Sequence, residues 1–358
     1  MVIPAGTFPA KQGRAMAKDK PLVLIMCGGQ SLRLWPLSEY KSKNFLDIFG
    51  FSPLEFTIKR FLKVTSKDNI YLVANSSEKK DLEKLRLIKK GNIFYEPKSK
   101  NTAAAILLSL FYLKKKLKQD RTIIISPIDH FIQNRNRFYA ALNTALGVAK
   151  KGSICTLGIQ PAKPTPHFGY IVAGKKVGKD AFSVKRFVEK PTSSVARKLI
   201  STKKASYNSG MFISTLATLD AEFKKHYPFY NNFNSLFKKQ SLRSLYDRIK
   251  DIPFDKAIME KTKKATVVRG SFLWCDFGNW NAIYEILKKD KDGNVVEGKV
   301  SVYKGKNNFI HIRDPKKKVL VLGVDNAILV DTPEYALLAN RAFLDELKPV
   351  LKEFKKTF

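Results

Sequence analysis

Residues 22–46 read LVLIMCGGQSLRLWPLSEYKSKNFL. The stretch opens with five apolar residues, Leu22 to Met26, which read as a buried parallel strand. Gly28 and Gly29 follow almost at once, then Arg33; Pro36 and Ser38 close a polar turn, and Lys43 stands beyond it. A strand ending in a glycine-rich loop lets backbone N–H groups approach an anion with no Cβ in the way. Arg33 and Lys43 add two fixed positive charges at the same mouth. The stretch reads as a triphosphate cradle at the carboxyl end of a first strand. Taken alone it reads equally well as an ordinary strand-to-helix turn.

Outward from this stretch the chain alternates. Residues 53–61 read as a helix, 70–74 as a strand, 77–88 as a helix and 92–95 as a strand running into Glu96. Residues 103–117 form a strongly apolar helix capped by Asn101 or Thr102. The β-branched run 122–125 is a central strand leading to Pro127-Ile128-Asp129-His130, followed by a helix over 138–150 and a strand over 153–159. Strands alternating with helices predict an α/β, Rossmann-like fold with a mixed, mostly parallel central sheet. Ligands bind beyond the carboxyl ends of such strands, where Gly28, Glu96 and Asp129 all fall. From Gly158 the strands shorten, residues 219–250 read as mostly helical, and 266–272 as a strand entering Trp274-Cys275-Asp276. Beyond Lys289, strands are expected over 295–303, 309–312, 319–323 and 327–331, with a last helix over 337–354. The expected division is a disordered tail over 1–20, a main domain over 21–289 and a small C-terminal β unit with its terminal helix over 290–358.

Composition narrows the classes. An apolar fraction of 44% is ordinary for a globular protein. No run approaches the roughly 18 apolar residues of a membrane span, and the first twenty residues have no apolar signal core. Cys27, Cys155 and Cys275 are widely spaced, which argues for reduced thiols, a cytoplasmic location and no zinc site. The net charge of +35 favours anionic partners in general. Its lysines are spread along the chain without a nucleic-acid-binding motif, so no nucleic-acid partner is expected.

Several separated motifs, in order, resemble the mannose-1-phosphate guanylyltransferases. The family pattern AGGxGTRLWPLS is similar to CGGQSLRLWPLS from Cys27 to Ser38, and EPxxRNTAxAI to EPKSKNTAAAI from Glu96 to Ile106. PADH resembles Pro127 to His130; FxEKP, WNSGMF and WxDxGxW resemble Phe187 to Pro191, Tyr207 to Phe212 and Trp274 to Trp280. A late GVDNxxVVDT is similar to Gly323 to Thr332. The resemblance implies a nucleotidyltransferase fold, GTP and mannose 1-phosphate as substrates, Mg²⁺ as cofactor, and admits a homodimer.

It also implies roles. Arg33 would grip the β- and γ-phosphates in a fork and Lys43 the α-phosphate. Gly28 and Gly29 would bring backbone to the nucleotide, and Glu96 would accept the guanine N1–H and N2–H. Lys100, Asn101 and Thr102 would lie near the phosphates; for the last two a simple capping turn stays open. Asp129 and Asp276 would hold the metal, each alone being equally readable as a helix cap. On the sugar side Glu189 and Asn208 would hold hydroxyls, Gly169 would leave the backbone open, and Lys190 would take the sugar phosphate. Gly210, Met211, Trp274 and Trp280 are expected to pack, and His130 to be structural.

The chain also departs from the pattern. Ser31-Leu32 stands where the family has Gly-Thr, Ser42 where it has Pro, Asn44 where it has Gln or Pro, and Pro166-His167-Phe168 where it has Thr-Gly-Tyr. Each change removes a contact of about 1 kcal/mol or stiffens a turn. A non-catalytic nucleotide-sugar binding or regulatory paralogue, and an enzyme of altered sugar specificity, therefore stay open beside the active enzyme.

Overall fold

The computed structural model describes residues 20–29, 32–40, 42–46, 50, 52–202, 204–237 and 242–357, without the side chains of Lys43, Asn234, Leu236 and Phe237. The expected tail over residues 1–19, Ser31 and the Lys43 side chain lie outside the described residues.

The chain begins with β1 (Leu22–Met26), α1 (Leu37–Tyr40), α2 (Pro53–Phe61), β2 (Ile70–Asn75), α3 (Lys79–Lys84), β3 (Ile93–Glu96), α4 (Asn101–Lys116) and β4 (Thr122–Pro127). It continues with β5 (His130–Ile132), α5 (Arg135–Ala149), β6 (Ile154–Ile159), β7 (Tyr170–Gly178), β8 (Ala181–Val188), α6 (Ser193–Ser201) and β9 (Ala205–Thr215). Next come α7 (Leu216–His226), α8 (Tyr230–Phe237), α9 (Leu242–Arg248), β10 (Ala265–Gly270), β11 (Trp274–Asp276) and α10 (Trp280–Ile286). The last part holds β12 (Val295–Glu297), β13 (Lys299–Tyr303), β14 (Phe309–Ile312), β15 (Lys318–Leu322), β16 (Ala327–Asp331), β17 (Ala336–Asn340) and α11 (Leu347–Thr357).

Nine strands form one mixed sheet in the order β3-β2-β1-β4-β9-β6-β10-β8-β7. The half from β3 to β4 is parallel throughout. Beyond β4 the pairs are antiparallel except β10 with β6, because the hairpin β7–β8 and the long strand β9 replace helical crossovers. Side chains of β1 alternate between the two faces as the two-residue period requires. Leu22 and Leu24 pack in one core with Ala104, Leu108 and Phe223, and Val23 and Ile25 in another with Leu54, Phe61, Phe138 and Leu142.

The C-terminal strands coil rather than lie flat. β12, β14 and β16 pair in parallel, as do β13 and β15, with Ile310, Ile312 and Val321 filling the coil between the two small sheets. A third core joins this unit to the first half of the chain. Leu34, Trp35, Leu37 and Leu46 pack with Phe277, Trp280, Phe309, Ile328, Leu347 and Leu351.

Three expectations are corrected and one, the mostly helical stretch 219–250, holds and is resolved in detail. The helix over 77–88 stops at Lys84, and Arg86 takes a positive φ of 51°. The helical region 219–250 is three helices, α7 to α9. The strand over 295–303 breaks at Gly298, whose φ is 107°. The last helix begins only at Leu347; residues 336–340 are a strand antiparallel to β16, with Leu337 buried and Leu338 exposed. There an apolar run of good helix formers gives way to edge pairing, as tertiary contacts override propensity.

Candidate active site

The loop after β1 leaves the sheet with Gly29 at φ 118°, a conformation that suits glycine and turns the backbone outward. Arg33 is exposed on a short 3-10 turn, while the next two residues, Leu34 and Trp35, are buried. Asn44, one of the departures from the family pattern, is buried and donates to Cys27 O at 2.7 Å and to Glu78 Oε1 at 2.8 Å, so it pins the loop's return to its start.

Glu96 ends β3 facing that loop: a Cβ at Gly28 would lie 3.8 Å from Glu96 Oε2. The carboxyl is buried and accepts a hydrogen bond from the Tyr246 hydroxyl at 3.2 Å. Burial pushes its pKa up to about 8, and the Tyr246 bond opposes the shift. The residues after it serve the helix. Asn101 Oδ1 accepts from Thr102 N at 3.0 Å and its amide donates to Asp251, while Thr102 Oγ1 accepts from Phe254 N at 2.8 Å. The expected cap by Asn101 or Thr102 is corrected: the half-buried Lys100 is the N-cap of α4 without a side-chain cap bond, and Asn101 and Thr102 instead tie the helix start to residues 251–254.

The segments that carry the two aspartates come together. β11 pairs antiparallel with β5 so that Asp276 stands opposite His130, and Phe277 N donates to Asp129 O at 2.7 Å. Asp129 and Asp276 are thus diagonal neighbours on touching segments, both half-buried. Burial, and then the charges of Asp276, Glu285 and Asp129, push the intervening Cys275 thiol up to about 12. A Cβ on Gly278 would lie 3.0 Å from Asp276 Oδ2, so glycine keeps room beside that carboxylate. α2 holds the Asp129 turn from behind: Thr57 Oγ1 donates to Ile128 O at 2.9 Å and Arg60 Nη2 to His130 O. Two carboxylates suit a hard cation that takes its remaining oxygens from phosphate and water. Among the described residues no group of three or more His, Cys, Asp or Glu could hold a metal.

The sugar-side residues also converge. A Cβ on Gly169 would fall 2.6 Å from Glu189 Oε2 and 3.4 Å from Asn208 Cβ, so only glycine fits between them. Asn208 is fixed on every side: its N–H donates to Gly169 O at 2.8 Å, its amide to Asp255 Oδ1 at 2.8 Å, and its Oδ1 accepts from Thr156 Oγ1 and Gly210 N. Lys190 Nζ, largely exposed, lies 3.5 Å from Glu189 Oε1. Burial, and then the Glu189 charge, raises the pKa of Asp255; burial likewise raises that of Glu189, with Lys190 opposing. Phe168 packs its ring 5.2 Å from Trp274, whose own ring is 5.3 Å from His130, which ties the sugar-side loop to the aspartate pair.

Sequence reasoning missed Asp255, Tyr246, Thr57 and Arg60. Asp255 carries one weak signal, its place in a π-helical turn, a feature common at functional sites. A basic cleft of about 730 Å³ lined by Lys67, Lys80, Lys84, Arg86 and Lys89 takes no part. Its residues precede β2 and β3, at the amino ends of the strands.

The three groups lie on consecutive strands of the sheet, Gly28 after β1, Asp129 after β4 and Asn208 on β9, the arrangement of an α/β enzyme joining a nucleotide to a second substrate. The chain belongs to the nucleotidyl transferase family, whose pattern matches residues 22–293. It is similar to the mannose-1-phosphate guanylyltransferase of Salmonella muenchen, 33% identical over 94% of this chain and 74% of that protein. Among solved structures it resembles the Thermus thermophilus protein described as a mannose-1-phosphate geranyltransferase (TM-score 0.84, 29% identity, 94% of this chain and 99% of that one). It also resembles one described as a mannose-6-phosphate isomerase from Helicobacter pylori (TM-score 0.60, 28% identity, 72% of this chain and 100% of that one).

Proposed function

We infer that the protein transfers the guanylyl group of GTP to mannose 1-phosphate, giving GDP-mannose and pyrophosphate. The observation that supports this reading is that Asp129, at the end of β4 between β1 and β9, lies on a segment paired with that of Asp276, with Gly28 and Glu96 on one side and Asn208 on the other. The names of the relatives, guanylyltransferases matched over most of their length, support turnover over a purely binding role.

An oxygen of the sugar phosphate attacks the α-phosphorus of GTP; the bond to the bridging oxygen breaks and pyrophosphate leaves. The nucleophile is already ionised, so positioning and charge neutralisation carry the reaction. Arg33 and Lys43 bind the triphosphate, with Gly28 and Gly29 offering backbone donors and Lys100 adding charge. Asn101 and Thr102 act by holding the start of α4. Glu96 reads the guanine edge, Glu189 and Asn208 hold sugar hydroxyls beside Gly169, and Lys190 takes the sugar phosphate. Asp129 and Asp276 would hold Mg²⁺, which when bound neutralises phosphate charge. No helix among the described residues is long and apolar enough to cross a membrane. The three cysteines form no disulfide, which supports a reducing cytoplasm.

Purified protein supplied with GTP, mannose 1-phosphate and Mg²⁺ should release pyrophosphate and form GDP-mannose. Tight binding of both substrates with no product would overturn the reading in favour of a regulatory paralogue. A panel of hexose 1-phosphates tests sugar specificity, and mannose 6-phosphate tests the isomerase chemistry named for one neighbour. Sedimentation reads whether the chain forms the homodimer that the resemblance admits.

A further inference from the structure

The Arg33 turn and the Asp276 segment are far apart in sequence but share one buried bond. The indole N–H of Trp280 donates to the backbone O of Trp35 at 2.9 Å. Trp280 is fully buried, its ring 5.3 Å from Phe309, and starts α10 four residues after Asp276. Trp35, two residues after Arg33, is buried against Tyr335 and Phe354 at 5.6 and 5.5 Å. The C-terminal unit closes around both: the Tyr40 hydroxyl lies 3.3 Å from Thr332 Oγ1, and Lys355 pairs with Glu39 at 2.5 Å. A buried indole N–H needs an acceptor, and here that acceptor is a carbonyl of the other turn.

We propose that Trp280 is a positioning residue: its N–H bond to Trp35 O sets the exposed Arg33 guanidinium in register with Asp129 and Asp276, so that all three meet one triphosphate. This rests on the functional reading of Arg33 given above. The bond reaches none of Gly169, Glu189 or Asn208, so its loss acts on GTP and leaves the sugar alone.

The test is calorimetric binding of GTP with Mg²⁺, and separately of mannose 1-phosphate, to the full chain and to Trp280→Phe, Arg33→Ala and the double variant. Trp280→Phe should weaken GTP about tenfold, the scale of losing one charge-assisted contact from Arg33. Mannose 1-phosphate affinity should stay within about twofold, and adding Trp280→Phe to Arg33→Ala should cost little more than Arg33→Ala alone. Leu351→Ala, in the same core, controls for lost packing; an equal loss of GTP affinity there would overturn the proposal. So would unchanged GTP affinity in Trp280→Phe, or losses that multiply in the double variant. If the phenylalanine variant does not fold, 3-benzothienylalanine at position 280 keeps the bicyclic ring without the N–H and gives the same reading. Failure of Arg33→Ala to weaken GTP removes both the role of Arg33 and the strut; a loss there with none at Trp280 removes the strut alone.

Discussion

The proposed nucleotide and sugar sides of the site are built in opposite ways. Sugar-side groups stand on or beside strands and are held by side-chain hydrogen bonds: Asn208 is held by Asp255, Gly210 and, in a buried bond, Thr156, and Glu189 N donates to Glu260 at 3.0 Å. On the nucleotide side Arg33 lies on an exposed loop whose anchors, Trp35 and Leu37, are buried in the core of the C-terminal unit. The difference matches the ligands. A neutral ring of hydroxyls is distinguished by short, fixed bonds in a preformed pocket, whereas a flexible, highly charged triphosphate is gathered by long cationic side chains.

The largest effect is expected where the two sides meet. Asp276→Asn should lower kcat for pyrophosphate release by about 100-fold or more, the scale seen when a group stabilising transition-state charge is removed. Mannose 1-phosphate binding, measured without nucleotide, should be unchanged. Full activity in this variant would remove Asp276 from the metal site and break the picture of a shared centre. Next, Glu189→Gln should raise KM for mannose 1-phosphate about tenfold, the cost of one hydrogen bond to a charged acceptor. Its KM for GTP should move by less than about twofold; equal shifts in both would mean the two sides are not separate.

Glu96 supplies a pH test confined to the nucleotide side. Its folded pKa, raised to about 8 by burial, lies above the ordinary carboxyl value. Between those two values the folded state holds a proton that the unfolded state does not, so this group's contribution to stability falls as pH rises toward 8. Glu96→Gln should flatten that slope and raise the Tm of the nucleotide-free protein most near pH 8. If the carboxylate accepts both guanine N–H groups, GTP affinity should instead rise with pH, by at most about tenfold per unit, and level off above pH 8. Removing the Tyr246 hydroxyl (Tyr246→Phe) should move that midpoint upward, because its hydrogen bond favours the ionised form. A flat pH profile for GTP would take guanine recognition away from Glu96.

These differences also explain what the sequence could and could not say. The Leu22–Met26 strand and the positions of Gly28, Glu96 and Asp129 were legible because local period and strand ends place them. Asp129 meeting Asp276 was legible only as an implication of the resemblance, since the β5–β11 pairing joins segments with no local signal for each other. The Trp280–Trp35 bond spans 245 residues, Tyr246 reaches Glu96 across 150 and Asp255 reaches Asn208 across 47. Asp255 draws no reading at all until Asn208 is placed beside it, and the run 337–340 reads as helix until β16 offers it an edge.

The smallest expected effect comes from His167, which stands where the family pattern has glycine. His167 Nε2 lies 3.2 Å from Asp345 Oδ2, linking the sugar-side loop to the C-terminal unit. Both side chains are substantially exposed, at 45% and 65%, so solvent screens the pair and its expected contribution is about 0.5 kcal/mol or less. The loop is held instead by Phe168 against Tyr207 and Trp274, and by the Tyr170 hydroxyl, which donates to Thr165 O at 2.8 Å. His167→Ala should therefore shift Tm by no more than about 2 °C and leave KM for mannose 1-phosphate within about twofold, whereas Phe168→Ala should raise that KM clearly. A large KM change in His167→Ala would mean that the C-terminal unit also governs the sugar side, and the contrast between a locked pocket and a gathered one would have to be given up.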